Sequence, residues 1–283
     1  MTNPLITLYT PGTKPDLMRK AARYAPDAII IDLEDTVPVQ LKAQVRAEVG
    51  ELIPTLEVET LVRVNSEPEN IEADLEAIVS ADLRAVVYPM AEDVPTVEHV
   101  DNIITRLERD RSLEPDSIKL ILLIETALGV VRCFDCASAA TRIESVAFGS
   151  AEDADLQRDM KCAWSVEGTE MLYARSKVLL DSRAAGLPYV LDGAFSDIGN
   201  DDALFADCRL SKRLGYEGRT LIHPNQIETA RRAYAPSEKE VAYYTKVVEA
   251  FEEAEAKGIA AIKVEGKLID YAMYKMAKAF IQA

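Results

Sequence analysis

Histidine, tryptophan and cysteine are scarce in this chain: two, one and four among 283 residues. The cysteines, Cys133, Cys136, Cys162 and Cys208, are too few for a disulfide framework in a chain this size and read as reduced thiols. Cys133 and Cys136 form a C-x-x-C. A zinc site would need a second ligand pair at similar spacing, and His99 and His223 stand alone. Long apolar runs are also missing. Ile121-Leu-Leu-Ile124 stops at Glu125, far short of the ~20 residues that cross a bilayer. The opening stretch Met1–Tyr9 has neither a basic segment nor a long apolar one, so no secretory signal is expected and the default location is cytoplasmic. Basic residues are outnumbered, 32 Lys and Arg against 48 Asp and Glu, for a net charge of −16. That argues against nucleic acid or an anionic membrane as partner, because both need a positive face. A local basic pocket for a phosphorylated ligand stays compatible with it.

What the chain does have is alternation. Short β-rich runs alternate with longer helical stretches. The expected strands are 5–9, 27–33, 61–64, 84–88, 118–124, 144–148, 189–191 and 220–222. Between them lie expected helices at 14–24, 37–53, 67–80, 94–111, 127–140, 170–185, 201–214 and 225–234. Asp27–Leu33 is nearly all apolar, as a strand covered on both faces of a parallel sheet must be. Thr36 is the expected N-cap of the second helix, with Pro38 in its first turn. Eight strand–helix units by Tyr234 fit an α/β fold, a (β/α)8 TIM barrel of the usual ~250 residues. No G-x-G-x-x-G follows the first strand, which weighs against a dinucleotide fold. The expected domains are a barrel over 1–235 and a C-terminal helical extension over 236–283. The extension reads as a charged helix to about Lys257, an extended piece with a turn over 260–266, and a helix from Leu268. It is too small for an independent core, so it is expected to pack on the barrel or on a neighbouring subunit.

Barrel chemistry sits at the C-terminal strand ends. There the sequence places Thr10-Pro11-Gly12-Thr13-Lys14, then Asp32, Glu34 and Asp35, then Arg63 and Asn65, then Glu125 and Thr126, then Gly149, Glu152 and Asp153, and finally His223-Pro224. Carboxylates suit hard cations, and Mg²⁺ is commonly held by one or two of them plus substrate oxygens and water. Glu125 and Asp153 fit that role, although a lone acid at a helix start is more often a cap. Arg63 lies between Val62 and Val64 and needs an anionic partner. An ion pair with Glu34 or Asp35 and a contact to a substrate oxygen are compatible readings. Lys14, Lys20 and the Pro11-Gly12 turn form a phosphate-binding edge or merely a solvated helix face. His223 is a base or a structural histidine.

These residues also resemble the citrate lyase beta-subunit-like proteins, metal-dependent acyl-CoA lyases that include malyl-CoA and citramalyl-CoA lyases. The matching stretches are 8–12, 30–35, 62–65, 124–127, 148–149 with 152–153, 174–177, 184–186, 222–226 and 266–270. The resemblance implies a (β/α)8 barrel in trimers or hexamers, with one Mg²⁺ per site (Mn²⁺ as substitute) on Glu125 and Asp153. It implies that Arg63 contacts substrate and that Asp270 reaches a neighbouring subunit's site. It places the nucleotide of CoA near Lys14 and Lys20. Gly149–Asp153 is one residue longer than the family's usual spacing, Lys14 replaces a common Arg, and 160–164 is unlike the relatives. The expected activity is cleavage of a 3-hydroxyacyl-CoA thioester to acetyl-CoA and a 2-oxo acid, or the reverse condensation. Arg63 would face the thioester oxygen, Asp270 would move the carbon-bound proton, and Glu34 and Asp35 would orient Arg63. The alternatives are a citrate lyase beta subunit acting on an acyl carrier protein thioester, a non-catalytic CoA-binding scaffold, and an aldolase for free 2-oxo acids.

Overall fold

A computed structural model describes residue 3 and residues 5–282. The chain divides into two compact units, with the boundary between Tyr234 and Ala235. The first is a closed barrel of eight parallel strands: β1 Ile6–Pro11, β2 Ala28–Asp32, β3 Glu59–Arg63, β4 Ala85–Tyr88, β5 Lys119–Ile124, β6 Ile143–Phe148, β7 Tyr189–Asp192 and β8 Gly218–Leu221. β8 pairs back onto β1, with Leu8 opposite Leu221. The intervening helices are α1 Pro15–Ala21, α2 Lys42–Leu52, α3 Pro68–Ile78, α4 Val94–Asp110, α5 Ala127–Ala137, α6 Asp155–Met160, α7 Leu172–Ala184, α8 Asp201–Leu214 and α9 Gln226–Tyr234.

Strand periodicity sorts the apolar residues into two cores. Ala28, Ile30, Leu61, Val87, Ile121, Leu123, Ala147 and Leu191 fill the barrel lumen. Their neighbours Ile29, Ile31, Val62, Val86, Leu122, Ile124, Val146 and Val190 pack outward against the helices. All five residues of β2 are buried for this reason. The same period makes the last inward residue of each strand the floor of the barrel mouth.

Two local expectations are corrected. Thr36 does not cap α2. Pro38 holds an extended conformation, a short 3₁₀ turn over Val39–Leu41 follows, and α2 begins at Lys42. Thr36 instead donates its N–H to Asp32 Oδ2 at 3.1 Å. The helix expected from Leu268 begins at Tyr271, because Leu268 belongs to a strand. In the second unit, α10 Glu238–Glu255 starts on a Ser237–Glu240 capping box. The hairpin β9 Ile262–Val264 and β10 Lys267–Ile269 follows, then α11 Tyr271–Gln282. Glu265 and Gly266 at its turn both have positive φ, 47° and 85°, the conformation a tight two-residue hairpin requires. Val247, Phe251, Val264, Ile269 and Ala277 form a small core there, with Tyr274 stacked on Phe251 at 4.8 Å. Among the described residues no helix is long and apolar enough to cross a membrane.

At the opposite end of the barrel from the mouth, Arg142 is fully buried. It donates to Glu108 at 3.0 and 3.1 Å, to the Ile118 carbonyl at 2.7 Å and to Thr105 at 2.7 Å, tying α4 to the start of β5. Burial alone would raise the Glu108 carboxyl, but the Arg142 bond and the Ile118 and Asp116 N–H groups hold it below its ordinary value. The pair's stabilisation is therefore complete above the ordinary glutamate range and is lost as pH falls through the depressed value. Arg142→Met should cost about 3–5 kcal/mol in urea unfolding, because it strands a buried carboxylate. Arg142→Met with Glu108→Gln should recover part of that, because the neutral amide oxygen still accepts the Ile118 N–H. A single variant with wild-type stability would show that the network is dispensable.

Candidate active site

The register of β2 against β3 sets Asp32 directly opposite Arg63. Both side chains point inward at the mouth, and Arg63 Nε donates to Asp32 Oδ1 at 2.7 Å. Arg63 Nη1 lies 3.0 Å from Glu34 Oε2 and 3.2 Å from Asp35 Oδ2. The guanidinium carbon sits 5.3 Å from the centre of the Tyr9 ring. Asp32 is also the hub of the turn that follows β2. Its two oxygens accept the N–H groups of Glu34 and Thr36, both at 3.1 Å, so the turn that delivers Glu34 and Asp35 is built on the carboxylate that holds Arg63. Arg63 Nη2 has no partner among the described residues.

A cavity of 270 Å³ opens at this mouth, lined by the polar Arg63, Asp32 and Glu125 together with Tyr9, Leu123, Ala194 and Ile222. Glu125 Oε1 accepts the Met90 N–H at 3.0 Å. Its second oxygen has no hydrogen bond among the described residues. Burial raises the Glu125 carboxyl to about 7; Arg63 and the Met90 N–H oppose the rise, and Asp155 and Asp35 add to it. Burial raises Glu34 to about 8, with Arg63 opposing and Glu125, Asp35 and Asp32 adding. Asp32 goes the other way despite burial, because Arg63 and the turn amides hold it ionised. The mouth thus holds more buried carboxylate than one guanidinium can neutralise, which is the chemistry of a donor set that takes a hard cation.

The other expected residues divide. Pro11 lines the cavity, and the Gly12 N–H donates to the Asp32 carbonyl at 2.9 Å. Lys14 and Lys20 are exposed, one before and one within α1, with no side-chain partner among the described residues. Asp153 is exposed, sits in the left-handed region with φ 58°, and does not line the cavity. Its N–H is held by Gln157 at 2.6 Å while its carboxylate is unpaired among the described residues. Among those residues no three His, Cys, Asp or Glu side chains gather as a metal cage. Glu125 keeps one oxygen free at the cavity, whereas the free carboxylate of Asp153 lies outside the cavity lining. Asp270 caps α11, accepting from Ala272 at 2.9 Å and Met273 at 3.1 Å. Asn65 is consumed by a buried network with Leu33, Asp74 and Lys42. Thr126 caps α5. The His223 ring accepts the Asn225 N–H at the start of α9, a structural use. Cys133 and Cys136 are buried, their thiols pushed by burial to about 12 and about 11.

Of the cavity wall, Tyr9 and Ala194 are not singled out in the sequence, whereas Gly149 stands among the strand-end residues. Tyr9 was findable, since period two from Thr7 aims it inward. Gly149 has its own reason. A Cβ there would lie 2.5 Å from Glu125 Cβ, so only glycine lets β5 and β6 bring Glu125 to the cavity.

Comparison with known proteins gives the family and the fold. A family model described as HpcH/HpaI aldolase/citrate lyase matches residues 5–224. Citrate lyase subunit beta of Haemophilus influenzae is 33% identical over 279 residues, covering 97% of this chain and 94% of that one. A (3S)-malyl-CoA thioesterase of Cereibacter sphaeroides is 32% identical over 267 residues, covering 93% and 88%. The crystal structure of CitE from Mycobacterium tuberculosis, in complex with magnesium, acetoacetate and coenzyme A, superposes with a TM-score of 0.78 at 26% identity, covering 98% and 97%.

Gly149→Ala should push Glu125 off its position and cost about 1–3 kcal/mol as overpacking does, read as a lower urea midpoint. Unchanged stability would show that the two strands can part without strain.

Proposed function

Because the chain belongs to the HpcH/HpaI aldolase/citrate lyase family, we propose that it is a magnesium-dependent carbon–carbon lyase. Its substrate is a 3-hydroxyacyl-CoA thioester with a carboxylate at the far end, of the malyl-CoA or citramalyl-CoA type. The observation that carries the reading is Arg63, clamped by Asp32, Glu34 and Asp35, sharing one cavity with a Glu125 oxygen that the protein leaves free.

Glu125 and Asp153 would hold the cation. When bound there, Mg²⁺ would supply Lewis-acid chemistry toward the substrate's oxygens. The bond between C2 and C3 breaks as the hydroxyl passes its proton to solvent water at the open cavity, and its C–O bond becomes the carbonyl of the 2-oxo acid. The 2-oxo acid departs, and the electron pair passes to the thioester as an enolate. Arg63 faces the enolate oxygen with its unengaged Nη2 donor, held in place before the charge develops. Glu34 and Asp35 keep the guanidinium from turning away. Asp270, from a neighbouring subunit of a trimer or hexamer, delivers the proton to C2 and removes it in the condensation direction. Lys14 and Lys20, unpaired and exposed beside the mouth strand β1, take the phosphates of CoA.

Two other readings rest on the relatives. Kinship to citrate lyase beta subunits favours an acyl carrier protein as thioester carrier, and kinship to malyl-CoA thioesterases favours hydrolysis without carbon–carbon cleavage. Products separate them. With malyl-CoA or citramalyl-CoA and Mg²⁺, lyase action releases acetyl-CoA, and EDTA abolishes it. Release of free CoA alone would replace the lyase reading with the thioesterase one. Binding of CoA without turnover would support a scaffold.

Asp270→Asn should keep the fold and lose about 10²–10⁴-fold in turnover, the usual share of a positioned acid–base group. Mixing Asp270→Asn with Arg63→Met subunits should restore part of the activity, since some mixed sites are intact. No recovery in proven mixed oligomers would place Asp270 in its own subunit's site or outside the mechanism.

A further inference from the structure

β1 presents one group that the mechanism above does not use. Tyr9 lies in the lumen-facing register of β1, packed against the inner core, and its side chain lines the cavity. Its ring lies under the Arg63 guanidinium at 5.3 Å. Its hydroxyl has no hydrogen-bond partner among the described residues, although three carboxylates stand within electrostatic range. Burying a phenol in a wall where phenylalanine would fill the same volume costs stability unless the hydroxyl finds a partner. Tyr9 is half-buried at the cavity wall and the protein supplies no partner, so its hydroxyl bonds the water or the ligand that fills the cavity.

We propose that Tyr9 is a further catalytic residue, donating its O–H to the substrate oxygen that Arg63 faces, so that one charged and one neutral donor act on the thioester oxygen as it becomes an enolate. The inference rests on the lyase reading. The ring–guanidinium contact couples the two donors, so a shift of one moves the other. The hydroxyl suits the task because it remains a donor. Burial raises its pKa, Arg63 opposes, and Glu125, Asp32 and Glu34 add to the rise. A neutral donor also adds no positive charge to compete with Arg63 for the carboxylates.

The test uses full-length Tyr9→Phe and Tyr9→Leu in the acetyl-CoA release assay, with thermal melts of both. Tyr9→Phe keeps the ring under Arg63 and removes only the donor. Its kcat should fall roughly 10²-fold, as on loss of one oxyanion donor, with KM within about threefold and the melting temperature unchanged. Tyr9→Leu should fall further, because Arg63 also loses its platform. Wild-type kcat in Tyr9→Phe with loss only in Tyr9→Leu would reduce Tyr9 to packing and overturn the proposal. If the wild type turns over neither thioester, the lyase reading fails instead. Tyr9 is then judged by calorimetric titration with acetyl-CoA, where weakening of at least threefold in Tyr9→Phe supports the donor and equal affinity overturns it.

Discussion

The mouth of this barrel is organised by one ion pair, Arg63 with Asp32. The two residues end neighbouring strands in register, so their meeting is dictated by strand pairing and not by a flexible loop. Once Asp32 is fixed, its carboxylate oxygens collect the N–H groups of Glu34 and Thr36, and the turn carries Glu34 and Asp35 onto the same guanidinium. Arginine rather than lysine is required, because a planar fork can engage several carboxylates and still keep Nη2 for a ligand. The pair is buried, so its worth lies in position more than in net stability.

The same cluster is the chemical basis for proposing a cation at the site. Several carboxylates stand around one arginine, and two of them, Glu34 and Glu125, are pushed by burial to about 8 and about 7. Near neutral pH the site is poised between taking protons and taking a positive ligand. A divalent ion there would relieve the repulsion and leave the acids ionised. The acidic surface implied by a net charge of −16 does not hinder a CoA-type ligand if the unpaired Lys14 and Lys20 meet its phosphates locally.

Most of the barrel and half of the site are legible in the amino-acid sequence because both follow strand periodicity. Eight apolar runs, each ending in polar residues, specify the strands and the face on which chemistry collects. Arg63, Asp32, Glu34, Asp35 and Glu125 meet for that reason. What was illegible depends on loops. Thr36 looked like a cap because it precedes a helix, but Pro38 delays that helix and frees Thr36 for the Asp32 turn. Leu268 looked helical because the following residues are. The Glu265-Gly266 turn, with positive φ at both positions, folds it back as a strand. Asp153 depends on the conformation of the long β6–α7 connection, where α6 was not foreseen. Tyr9 was passed over because an aromatic residue in a strand reads as core, and only the cavity shows that its hydroxyl lacks a partner.

On the proposed reading, this carboxylate-rich mouth takes a divalent cation through Glu125. Calorimetric titration of Mg²⁺ into the wild type and into Glu125→Gln tests it directly. The account predicts one ion per chain for the wild type and at least a tenfold weaker affinity in the variant, with the melting temperature of the apo protein retained or raised. Equal affinity in the two proteins would contradict it and move the cation away from the Arg63 cluster.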